Sequence, residues 1–233
     1  MSSPKVWLRF ERSLSDGTVK KFKVQRVLPS LYEKVIDFMS INFLPEEPFA
    51  LAANLLSDPN NFERIKRFWF ENILRQNLSV VCLEDNDTPD EDKDIVGVNF
   101  LFSMSKTQSD KTESLPVEPS SILEILNEVA SRFDVFEAFG VDRFLSACGL
   151  SVNKNYRGLS IGTELLLART PICKEHGITL TETIFTAVAS QKVAAKAGFT
   201  TALEIDFQDI ADKMNVTFPE GFKTFKVMTK LIE

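Results

Sequence analysis

"RFLSACGLSV" (residues 143–152) runs into "NKNYRGLSIGTELL" (153–166): an apolar stretch stops at a glycine-bearing turn and restarts as an apolar-periodic helix. A second apolar run, "ITLTETIF" (178–185), follows that helix. Strand, helix and strand in this order predict a parallel pair joined by a crossover. The turn between them has chemical consequences. The first amides of a helix lack intrahelical acceptors, and the macrodipole favours negative charge there. Arg157 adds positive charge, and glycine at Gly158 and Gly162 removes the Cβ that would block close approach. Arg157, Gly158, Leu159, Ser160, Ile161 and Gly162 are therefore a candidate diphosphate cradle. An ordinary strand-to-helix turn accounts for the same residues. The Walker string is absent, and Gly158 with Gly162 cannot supply the three glycines of a dinucleotide fingerprint.

Working outward, "AVASQKVAAKAG" (187–198) reads as a short helix closed by Gly198. The strands "TTALEIDF" (200–207) and "FKTFKVMTKLI" (222–232) come last. The crossover helix is predicted as one piece over 161–177, and the helix before the opening strand as one piece over 121–140, each ending on glycine. Further upstream lie an Asp16-Gly17 hairpin, helical spacing in 30–44 and 62–76, and strands in 78–85 and 94–104. The acidic loop "NDTPDEDK" (86–93) is predicted to lie in water, and 105–120 to be a mobile polar insertion. These elements predict one α/β domain over residues 1–233 with a mixed central sheet.

A chain of 233 residues buries roughly 70% of its unfolded surface and needs no disulfide for its core. Cys82, Cys148 and Cys173 read as buried free thiols in a reducing compartment, and one histidine with three scattered cysteines is not a metal set. Net charge −6 argues against nucleic acid as a partner. With no run of 18 apolar residues and a charged N-terminus, the expectation is a soluble, cytoplasmic protein that engages no membrane, and because one domain with a complete sheet needs no partner, a monomer.

The turn resembles the acetyl-coenzyme A loop of the GNAT superfamily, with Arg157 in the first position, Gly162 in the last, and Ser160 where glycine is usual. "AKAGF" (195–199) matches the superfamily's Gly-Phe pair. Glu47-Pro48 in "FLPEEPFA" and the serine-bearing segment 186–199 are similar to the insect arylalkylamine N-acetyltransferase-like family. The resemblance implies a GNAT fold with a splayed parallel strand pair, acetyl-coenzyme A as co-substrate, and a small primary amine as acceptor. It gives Glu47 the role of general base, and it places hydroxyls at Thr186 and Ser190. Ser190 is the preferred contact to the sulfur or acetyl group, whereas Thr186 is either such a contact or the helix N-cap. Backbone groups of Leu150 and Val152 would meet the acyl oxygen and pantetheine, and Lys192 would meet the ribose phosphate or be an exposed helix lysine. A tyrosine common in GNAT enzymes is replaced by Ala194. A catalytically silent coenzyme A-binding module, or a polyamine- or agmatine-type acetyltransferase, is the alternative. His176 reads as a cation at a helix end, and Cys148 as core.

Overall fold

The computed structural model describes residues 4–14, 16–109 and 120–233. Eight strands form one sheet in the order β1-β2-β3-β4-β5-β6-β8-β7. Strands β1 (Val6–Ser13) and β2 (Val19–Arg26) make the Asp-Gly hairpin. Helices α1 (Tyr32–Asn42), α2 (Pro48–Ala52) and α3 (Pro59–Phe68) follow, then β3 (Val80–Glu84), β4 (Gly97–Ser105) and the short α4 (Lys106–Ser109). After α5 (Ser120–Arg132) and α6 (Val135–Phe139) come β5 (Arg143–Val152), α7 (Ile161–Leu167), α8 (Arg169–His176) and β6 (Leu180–Phe185). The chain closes with α9 (Val188–Lys196), β7 (Thr200–Asp206), α10 (Phe207–Met214) and β8 (Thr224–Leu231).

The fold class predicted from sequence is the one observed: a mixed sheet with β5 and β6 parallel and every other neighbouring pair antiparallel. β5 and β6 register at Leu145 and Thr181 and then separate. Side-chain alternation fills both faces. Val81, Leu83, Val98 and Phe100 pack under α1 and α3, while Val80, Cys82, Leu101 and Leu145 pack against α7 and α8. A third cluster joins Phe49 of α2, Ile125 of α5 and Phe207 of α10 to β8.

Two helices expected to be continuous are broken. Pro171 has no N–H for the carbonyl of Leu167, and the crossover divides there into α7 and α8. Asp134 accepts from the amides of Phe136 and Glu137 at 2.8 and 3.1 Å, starting α6 as a separate helix. The acidic loop also departs from expectation, because Asp90 folds back onto β2. Its carboxylate meets Lys23, Gln25 and the buried Lys93 at 2.9 to 3.1 Å. Most of the expected mobile insertion (110–119) lies outside the described residues.

A bulge sets the geometry of the centre. Asn99 pairs with Leu150 and Leu101 with Ala147, so β5 passes one residue more than β4 at Cys148 and Gly149. Gly149 has φ +154°, and a Cβ there would stand 2.5 Å from Cε of the buried Met39. Any other residue there would require Met39 and Phe43 of the α1 end to move aside.

Candidate active site

The turn after β5 is tied down from several sides. Tyr156 donates to Glu84 at 2.7 Å, and Arg12 donates to the Leu159 carbonyl at 2.9 Å while pairing with Glu164. Gly158 is exposed with φ +85°, Leu159 is half-buried, and Ile161 is buried under the sheet, so Ile161 can offer a ligand only its backbone. Gly162 answers to packing: a Cβ there would lie 3.2 Å from Cγ1 of Val193 on α9. Ser160 keeps the left-handed conformation that glycine favours, at φ +59°. Ser160→Gly is expected to raise unfolding free energy by roughly 0.5 to 1 kcal/mol, the relieved strain less glycine's larger unfolded entropy. A lower urea midpoint would show that Ser160 is not strained.

The backbone of β5 opens toward the gap. Asn153 N donates to Val96 O at 2.9 Å, toward β4, and backbone groups alternate along a strand. The amides of Val152 and Leu150 therefore point to the side from which β6 has diverged. The Arg157 side chain is exposed. It donates through Nε to Val152 O at 3.3 Å and through Nη2 to Glu46 at 2.9 Å, and Lys154 stands 3.3 Å from the same carboxylate. Burial acts to raise the Glu46 carboxyl, but the hydrogen bonds and charges of these two cations prevail and hold it below the ordinary range. No local pattern in the sequence signals this tether, because Glu46 and Arg157 stand 111 residues apart. Lys192 is exposed on α9.

Glu47 begins α2, its Oε2 accepting from Ala50 N at 2.7 Å, and the Thr186 hydroxyl stands close enough to the same half-buried carboxylate to favour its ionised form. Burial pushes its carboxyl up to about 7 against the opposing Ala50, Thr186 and Phe49 hydrogen bonds. The structure thus joins the α1–α2 connection to the end of β6. Thr186 is not an N-cap, because Ala187 holds that position without a side-chain bond and the helix begins at Val188. Thr186 and Ser190 therefore do not share a helix face. Ser190 is half-buried and donates to Ala187 O at 2.8 Å.

Beneath the splay lies a polar network that the sequence did not reveal. Arg169 of α8 is 1% exposed and donates to Asn99 Oδ1 at 3.0 Å and to Thr183 Oγ1 at 2.7 Å, with Thr181 Oγ1 at 3.3 Å. Asn99 donates in turn to the bulge carbonyl of Gly149 at 2.8 Å. One guanidinium thereby braces both diverging strands. On the opposite face of β6, Glu182 accepts from Ser146 of β5 at 3.0 Å, and burial pushes its carboxyl up to about 7.

Cys148 is half-buried rather than buried, and desolvation pushes its thiol up to about 12, which makes it a poor nucleophile. His176 ends α8, and burial with the charges of Arg143, Lys5 and Arg26 lowers its pKa, against the reading of a cation at the helix end. Among the described residues no group of three His, Cys, Asp or Glu side chains could hold a metal. Among them, too, no helix is long and apolar enough to cross a membrane.

No protein-family model matches the chain. Among solved structures, a putative arylalkylamine N-acetyltransferase 7 from the yellow fever mosquito aligns with TM-score 0.86 and 28% identity, covering 100% of this chain and 97% of that one. Arylalkylamine N-acetyltransferase 2 from Aedes aegypti aligns at 22% identity, over 91% of this chain and 99% of that one, with TM-score 0.76. The Drosophila melanogaster polyamine N-acetyltransferase aligns at 19% identity, over 91% of this chain and 100% of that one, also with TM-score 0.76. With its splayed parallel pair, glycine-bearing turn and 28% identity over the full length, the chain carries the GNAT fold and resembles the insect arylalkylamine N-acetyltransferases.

Proposed function

We propose that this protein transfers the acetyl group of acetyl-coenzyme A to the primary amine of a small arylalkylamine or alkylamine by direct attack in a ternary complex. The observation that carries the reading is the Glu47 carboxyl, held at the start of α2 by Ala50 N, raised by burial to about 7 and close to Thr186 at the end of β6. Acetyl-coenzyme A supplies an activated thioester, and the chain supplies the rest. An alkylamine titrates near pH 10, so at neutral pH only roughly one molecule in a thousand is uncharged. A carboxylate with a pKa near 7 takes the amine's proton, directly or through water. The outward amides of Leu150 and Val152 hold the acyl oxygen and pantetheine. Arg157 and the amides of residues 158–162 receive the diphosphate, with Lys192 within the same region for the ribose phosphate. Ser190 and Thr186 stabilise the departing thiolate by hydrogen bonding.

The continuous sheet supports a single domain, and the three free cysteines suit a cytoplasmic setting. A monomer is the proposed state. Calorimetric titration with acetyl-coenzyme A, followed by tryptamine, dopamine, agmatine and spermidine with thiol release monitored, tests the proposal. Binding with release supports it. Binding without release to any amine points to a silent coenzyme-binding module, and absence of binding overturns it.

A further inference from the structure

Strand alternation places Glu182 and Ile184 on one face of β6, and Thr186, the residue just past its end, lies beside Glu47. Phe185 packs on the other face, with α9. Ser146 and Cys148 of β5 lie beside Glu182 and Ile184. In the middle of an eight-stranded sheet such positions are ordinarily sealed, yet Cys148 and Ile184 are half-buried, as is Thr186 just past the strand. Cys148 packs against the cluster under α1 and α3 and Ile184 against the cluster of α2, α5 and α10, so the seam between the two clusters follows this side of the strand. On the same side is Glu182, 7% exposed, its carboxylate bonded to the equally buried Ser146. The nearby cation, Arg169, bonds the hydroxyls of Thr181 and Thr183 on the opposite face. Among the described residues no cationic side chain forms an ion pair with Glu182.

A carboxylate buried without a counter-ion on its own side is costly, and the cost is offset where a ligand brings the missing charge. From Glu182 to the end of β6 at Phe185 the strand advances roughly 10 Å, and Glu47 meets the residue beyond that end, too far for one ammonium to meet Glu47 and Glu182 together. We propose that Glu182, with Ser146 as its hydrogen-bond donor, is a specificity-determining residue that receives the second cationic group of a dicationic alkylamine whose primary amine lies at Glu47. The substrate class is then a polyamine or guanidinoalkylamine rather than a monocationic arylalkylamine. This rests on the acetyl-transfer reading above. The net charge of −6 favours such acceptors at long range.

The test compares kcat and KM for spermidine, agmatine, phenethylamine and tryptamine in wild-type protein and in Glu182→Gln. Wild-type kcat/KM is expected to favour the dications by about 10-fold or more, and Glu182→Gln to raise their KM about 10- to 100-fold with little change in kcat. The KM for phenethylamine is expected to move far less. Equal losses for both amine classes, or none, would overturn the assignment. If Glu182→Gln fails to fold by its melting curve, Ser146→Ala carries the test, with an expected rise of about 3- to 10-fold for the dications alone. If none of the four amines is acetylated, the acetyl-transfer reading fails separately. Glu182 is then judged by calorimetric binding of spermidine: binding weakened by Glu182→Gln supports the site, and equal or absent binding overturns it.

Discussion

Glu47→Gln is expected to lower kcat/KM at pH 7 by about 100- to 1000-fold and to remove an acid limb centred near pH 7. The sign follows from the role. A base works ionised, so activity rises as pH climbs through the carboxyl's raised value of about 7. Glutamine keeps an oxygen for Ala50 N and so preserves the start of α2, which isolates proton transfer from folding. Glu47→Ala loses both, and its unfolding free energy falls by about 1 kcal/mol in addition. The measurement is the pH profile of kcat/KM, with melting temperature as the check on folding. A glutamine variant that keeps the wild-type acid limb would remove Glu47 from the chemistry.

Arg169→Met is expected to lower unfolding free energy by about 3 kcal/mol or more and to weaken acetyl-coenzyme A binding. Methionine fills much of the volume but donates nothing. Asn99 Oδ1 loses its donor, and so does Thr183 Oγ1, whose own hydrogen already goes to Glu182 O. Each buried polar group left in this way costs about 1 to 3 kcal/mol. For a chain of this length the melting temperature should fall by roughly 6 to 12 °C. Binding is affected because Asn99 also holds the Gly149 carbonyl, one residue before the outward amide of Leu150. Unchanged stability and coenzyme affinity would mean that the guanidinium does not brace the splay.

Much of the architecture was legible because it depends on local pattern. The hairpin, the strand, turn and helix around Arg157, and the Gly198-Phe199 ending are short-range signals, and the structure carries them as expected. The two broken helices were also written locally, in Pro171 and Asp134, but glycine at the far end and continuous periodicity hid them. Glu47 and Thr186 could be named from resemblance, yet their contact could not, because 138 intervening residues separate them.

The sequence by itself determined the order of elements, the parallel crossover and the residue types at the turn, because propensity, periodicity and glycine's missing Cβ act over a few residues. Tertiary structure alone decided that Glu46 holds Arg157, that Arg169 braces the splay and that the buried Glu182 accepts from Ser146. In a strand, neighbouring residues point to opposite sides, and one extra residue in β5 reverses that alternation beyond the bulge. Which polar side chain meets which partner then depends on the register of distant strands, a long-range packing choice that leaves no mark on any short stretch of the chain.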